Sequence, residues 1–150
     1  MKLTEDIRWK IFEICKAENL DRIERGIVNK GLTVIKKQTK SNLRASFPAA
    51  FHKSPYYTDT ISEGVMSSVQ PRGQEMLGKV HVLGKKTTTS QTYKLRFFEG
   101  GTKERYKKTG EYAGKIEARN FFSNAVESTS NDVENAMQDE FEKQMNKILH

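Results

Sequence analysis

Phe97-Phe98-Glu99-Gly100-Gly101-Thr102, followed by Ala118 to Ala125 (ARNFFSNA) and then one long amphipathic segment, is the part of the chain that decides the fold. It joins an apolar run to a glycine turn, with one carboxylate at the junction. Glu99 is expected to accept hydrogen bonds from the turn amides or from Thr102, fixing the direction in which the next loop leaves. Gly101 is expected at positive φ, where an alanine would be strained.

Downstream, Phe122, Ala125, Val126, Thr129, Val133, Ala136, Met137, Phe141, Met145 and Ile148 recur at steps of mostly three and four. That is one helical face held for most of the remaining chain. At ~1.5 Å per residue it would span roughly 40 Å. Asn131 with Glu134 offers a competing cap, so the pattern also allows a break near Ser128–Ser130. Upstream, Tyr93, Leu95 and Phe97 alternate with Lys94 and Arg96, and Val80 and Val82 alternate with Lys79 and His81. These predict two strands of a hairpin around a polar tip from Lys85 to Thr92. Lys115–Arg119 (KIEAR) is expected to close the sheet. Gly100–Gly114 is the most loop-like segment.

The first third is helical in pattern. Thr4-Glu5-Asp6 is a helix start, followed by Ile7, Ile11, Ile14 and Cys15 at helical spacing with Trp9 and Phe12 beside them. Asn19 or Leu20 interrupts it. Asp21 with Glu24 reads as the capping box of a longer helix with the stripe Ile23, Ile27, Gly31 and Ile35. Gly31 on that stripe implies close packing against another element, and Phe47-Pro48 ends the helix. All three prolines lie between Pro48 and Pro71, the connector. Residues 61–69 fit either a short helical turn or a first strand. The predicted class is α+β, a small antiparallel sheet packed by N-terminal helices and one long C-terminal helix, in a single domain over 1–150.

Hydrophobic content of 35% against 30% charged predicts a modest core with solvated helix faces. The net charge of +7 is uneven. Residues 121–150 hold six carboxylates against Lys143 and Lys147, which leaves −4 there and +11 on the rest. A basic body with an acidic tail has two readings, contact with nucleic acid or an acidic neighbour, and ordinary solubility with the tail helix lying against its own basic body; the second is preferred because the chain has no compact Arg-rich recognition element. The single cysteine, Cys15, reads as a small core residue. Residues 1–20 are too charged for a secretory leader, and no apolar run is long enough to span a bilayer. The expected compartment is the cytosol.

No catalytic pattern emerges. His52, His81 and His150 lie in no serine or cysteine motif. No cluster of Cys or His has zinc spacing. The acids of the last helix are spaced as a solvated face. Gly100-Gly101-Thr102-Lys103 has the wrong order for a P-loop, which ends in Gly-Lys-Ser/Thr and opens a helix. Lys103, Arg105, Lys107 and Lys108 around Tyr106 fit three roles: a nucleic-acid contact, a solvated loop, or a loop that orders against a partner subunit. No catalytic, metal or cofactor site is assigned.

The ordered set Phe97, Phe98, Glu99, Gly101, Thr102, then Ala118, Phe121, Phe122 and Ala125, before a long C-terminal helix, resembles the head–tail joining and tail-completion proteins of long-tailed phages and prophages, also described as minor tail or neck proteins. Upstream, the long helix to Pro48 and the region Thr58–Val69 (TDTISEGVMSSV) are similar to that family too. Two departures stand out: the family usually has proline where this chain has Asn120, and often again at Asn124. Lys103–Gly114 reads as an insertion. The resemblance implies a non-enzymatic structural protein without a cofactor. It would form a homo-oligomeric ring, often a hexamer, between the portal complex and the tail, with DNA passing through the lumen. Neighbouring connector or tail-tube proteins would be its partners. It would be made in the host cytoplasm and carried in the virion, away from membranes, with its basic loops facing DNA or the adjacent ring. The rival reading is a basic nucleic-acid-binding module using the Lys-rich helix and residues 103–108.

Overall fold

The computed structural model describes residues 16–47, 59–82 and 92–149. The expected first helix with Cys15, the connector from Pro48 to Thr58 with His52, the polar tip up to Gln91 and His150 lie outside the described residues. In chain order the elements are helix α1 (Ala17–Ala45), a 3-10 turn (Asp59–Gly64), strands β1 (Met66–Arg72) and β2 (Glu75–His81), and a 3-10 turn (Thr92–Lys94). Helix α2 (Leu95–Gly100), strands β3 (Arg105–Tyr106) and β4 (Tyr112–Gly114), and helices α3 (Phe121–Ser128) and α4 (Ser130–Leu149) follow. The class is α+β, as expected, with two separate two-stranded antiparallel sheets among the described residues, β1–β2 and β3–β4.

The described residues group into two compact units, one drawing on residues 16–34, 68–79 and 130–149, the other on 35–47, 59–67, 80–82 and 92–129. In the first unit, Ile23 and Leu32 of α1 are buried. A methyl group added at Gly31 would lie 2.9 Å from the Met137 sulfur and 3.1 Å from Val133 Cγ1, so α4 packs directly on that glycine. Glycine in a helix interior costs about 1 kcal/mol relative to alanine, and here it permits the close approach that the apolar stripe implied. Gly78 of β2 serves the same end: a methyl there would meet Val28 and Leu32. Arg25 donates to the Val69 carbonyl at 2.9 Å, tying β1 to α1. Glu140 is a correction to the solvated-face reading. It is only 8% exposed, 3.9 Å from Lys30, and accepts a hydrogen bond from Gln144. That hydrogen bond, with Lys143, Lys30 and Lys147 nearby, holds its carboxyl below the usual glutamate range against the opposing effect of burial.

The core of the second unit is Leu43, Phe47, Ile61, Val65, Leu95, Phe98 and Phe121, with Val80, Val82, Ile116 and Phe122 against it. Phe47 and Phe98 meet edge to face at 4.9 Å, and the Arg119 guanidinium covers the outer side of Phe47 at 5.2 Å.

Several expectations change. Residues 93–97 are helical, and β2 pairs instead with β1 across the Gly73-Gln74 turn, where Gly73 has φ 64°. The alternation of Tyr93, Leu95 and Phe97 competed with a three-residue spacing at Thr92, Leu95 and Phe98, and those three are the buried ones. Residues 61–69 divide between turn and strand, so the connector ends in β1. Pro71 is tolerated because both strands of a two-stranded sheet are edges. Helix α1 runs through Asn19–Asp21 without a break, so Asp21 and Glu24 are not its capping box. It stops at Ala45, before Phe47-Pro48 as expected. The C-terminal helix breaks at Thr129, which is 4% exposed. Its amide makes the last helical hydrogen bond of α3, to the Ala125 carbonyl at 3.1 Å, and its hydroxyl donates to the same carbonyl at 2.7 Å, a back-bond of the kind that bends helices.

Candidate functional site

The end of α2 and the start of α3 form a single joint. Helix α3 begins after Asn120, which is left-handed at φ 49°, ψ 31° and makes no side-chain cap. Glu99 supplies the missing acceptor. Its Oε2 accepts from the Phe122 amide at 2.8 Å, and its Oε1 from the Ser123 amide at 3.0 Å and the Ser123 hydroxyl at 2.6 Å. Those two amides are the helix donors that a capping side chain normally satisfies, and the negative charge faces the positive end of the helix dipole. The expected partners, the turn amides and Thr102, are therefore corrected. The carboxylate reaches across to a helix rather than folding back on its own turn.

The same joint satisfies the carbonyls left open at the end of α2. The Arg119 amide donates to Phe98 O at 2.7 Å and the Asn120 amide to Glu99 O at 3.2 Å. Thr102 pairs twice with Ile116: its amide donates to the Ile116 carbonyl at 2.8 Å, and its hydroxyl accepts from the Ile116 amide at 2.9 Å. Residues 115–119, expected as a strand, thus spend their hydrogen bonds on this corner and join no sheet. Gly101 lies inside the turn at φ 68°, ψ −172°, as expected for positive φ. Arg119 and Asn42 complete the frame, donating to the carbonyls of Ser46 at 2.7 Å and Phe121 at 3.1 Å.

Of the sequence-chosen residues, Phe98, Glu99, Gly101, Thr102, Phe121 and Phe122 all meet here. Phe98 and Phe121 enter one core, and Phe122 packs on its edge. Ser123 and Ile116 were missed. A serine at the third position of a helix and one isoleucine among charged residues carry little signal on their own. Replacing Glu99 with alanine should cost about 1–2 kcal/mol by removing the cap, with Glu99→Gln keeping part of it. Urea unfolding would read the loss, and an unchanged midpoint would contradict the capping role.

The basic residues Lys103, Arg105, Lys107 and Lys108 are not part of the joint. They lie on and beside the β3–β4 hairpin, which corrects the loop reading of this segment. Arg105 is paired with Gly114 and Tyr106 with Tyr112. Lys107 closes the turn, its amide donating to Glu111 O at 2.8 Å and its ammonium 2.7 Å from the Glu111 carboxylate. Tyr106 and Tyr112, 61% and 56% exposed, stack edge to face at 5.6 Å. That cross-strand pair holds together a ribbon too short to be stable otherwise.

Among the described residues, no group of three or more His, Cys, Asp or Glu is placed to hold a metal ion. No helix among them is long and apolar enough to cross a membrane. The chain matches no protein-family model, and no curated protein or solved structure is significantly similar to it.

Proposed function

We propose that the chain is a non-enzymatic structural subunit of a phage or prophage head–tail connector or tail-completion assembly, acting as a homo-oligomeric ring. The observation that carries this reading is the joint at Glu99. The short motifs that resemble the family are separated in sequence, yet they form one hydrogen-bonded unit. Glu99 caps α3, Gly101 admits the 116–118 backbone, and Phe98 and Phe121 share a core. A set of motifs that closes on itself supports a fold marker, since the Glu99 carboxylate and the Thr102 hydroxyl are both spent on architecture. The departure at Asn120 is local: proline cannot take φ 49°, so this chain builds the start of α3 on a left-handed asparagine instead.

A connector subunit works through its surfaces. The chain is made in the host cytoplasm, assembles, and remains in the virion between the portal complex and the tail. Sedimentation across a wide concentration range, alone and with connector or tail-tube proteins of the same phage, tests the reading. Ring-sized species are expected. A strict monomer throughout, with no partner bound, would overturn it.

The nucleic-acid reading has one observation in its favour, the exposed Tyr106–Tyr112 pair flanked by Lys103, Arg105 and Lys108. It requires binding that weakens steeply with salt.

A further inference from the structure

Among the described residues, nothing covers an apolar groove of about 340 Å³ between α1 and α4 in the first unit. Ile27, Met137 and Phe141 supply its apolar lining, and Phe141 is 44% exposed, although a phenylalanine favours burial. Its polar lining is Glu134 and Gln138. Gln138 donates to Glu142 at 2.9 Å, which extends the anionic edge by another turn of α4.

The second unit carries the opposite surface. The β3–β4 tip presents two exposed tyrosine rings. Around them Lys103, Arg105 and Lys108 are exposed and make no ion pair among the described residues, whereas Lys107 is neutralised by Glu111 and Glu104 accepts from the Tyr106 hydroxyl at 3.1 Å, so four cations against two carboxylates leave the tip net positive. An aromatic centre with a cationic rim is complementary to an apolar floor with an anionic rim.

We infer that the groove receives the β3–β4 tip of a second copy of this chain. The inference rests on the ring reading above and names the interface that would build it. The two surfaces are different patches of one chain, so the contact is heterologous. Repeated with a closing rotation, such a contact makes a ring; without closure it makes a filament. The tyrosines fill the groove while the charges set register and orientation, which is the usual division of labour at an interface. The tip is then a docking element, and its cations meet carboxylates of the neighbour instead of phosphates.

Charge reversal in the full chain tests this. Arg105→Glu with Lys108→Glu makes the tip acidic, and Glu134→Lys with Glu142→Lys makes the groove basic. Each double variant alone should lose self-association by at least about tenfold, with its helical circular dichroism unchanged. Mixing the two variants should restore oligomers, because each then offers the other a matching pair of surfaces. If either variant loses its helical signal, Phe141→Ser alone gives the same reading through weakened association. Oligomers that persist in both variants would overturn this interface and leave the ring reading standing. A mixture that stays dissociated would also overturn it. So would a tip variant that loses only binding to a DNA oligonucleotide. A wild-type chain that is monomeric at every concentration would defeat both readings.

Discussion

Replacing Phe121 with alanine is expected to destabilise the second unit by about 3–5 kcal/mol, the usual cost of deleting a buried aromatic ring. The side chain is 1% exposed and shares one core cluster with Leu43 of α1, Phe47, and Leu95 and Phe98 of α2, so the first residue of α3 is built into the core that joins these elements. The cavity would open where the backbone is least free to relax. The Phe121 carbonyl is held by Asn42, and the next two amides are held by Glu99. Amide exchange gives the sharpest reading: protection should fall across residues 35–47 and 95–128. A variant with wild-type protection there would mean that Phe121 is not the centre of that core.

Gly101→Ala should cost about 3 kcal/mol, with two causes that add. The conformation at φ 68°, ψ −172° belongs to a region that is essentially glycine-only and costs about 1–3 kcal/mol for other residues. The new methyl would also lie 2.8 Å from the Ile116 carbonyl oxygen and 2.9 Å from the Ala118 nitrogen. Both are backbone atoms that cannot rotate aside. Moving them would break the Thr102–Ile116 pair. The neighbouring glycine is the control. Gly100 has open space around its Cβ position and ends α2 at an ordinary φ, so Gly100→Ala should be neutral or stabilising by up to about 1 kcal/mol. Thermal or urea unfolding of the two variants side by side checks this. Equal effects at the two glycines would contradict the account.

The importance of the corner was legible in the chain because glycine and a lone carboxylate are strong local signals. Positive φ at Gly101 follows from turn chemistry alone. Close packing at Gly31 follows from a glycine on an apolar helical stripe. The partners of Glu99 were not legible, because Phe122 and Ser123 lie 23 and 24 residues away and the carboxylate meets them only after the core has formed. Residues 93–97 failed for a different reason. Over so short a stretch, periods of two and of three to four select overlapping residues, and packing of Leu95 and Phe98 decided between them. Glu140 sits on a helix whose other acids are solvated, and only the approach of Lys30 from α1 marks it out. The β3–β4 hairpin has no apolar alternation to reveal it. Its trace in the chain is a pair of tyrosines that become cross-strand neighbours only once the register is set.

On the proposed reading, the corner at Glu99 is architectural, and the surfaces that would assemble the ring are the β3–β4 tip and the groove between α1 and α4. The most direct measurement is single-particle imaging of the purified chain together with its candidate portal partner. Closed rings of identical subunits, stacked coaxially on the portal, are expected. Isolated monomers beside bare portal particles, at concentrations well above those of assembly, would contradict it.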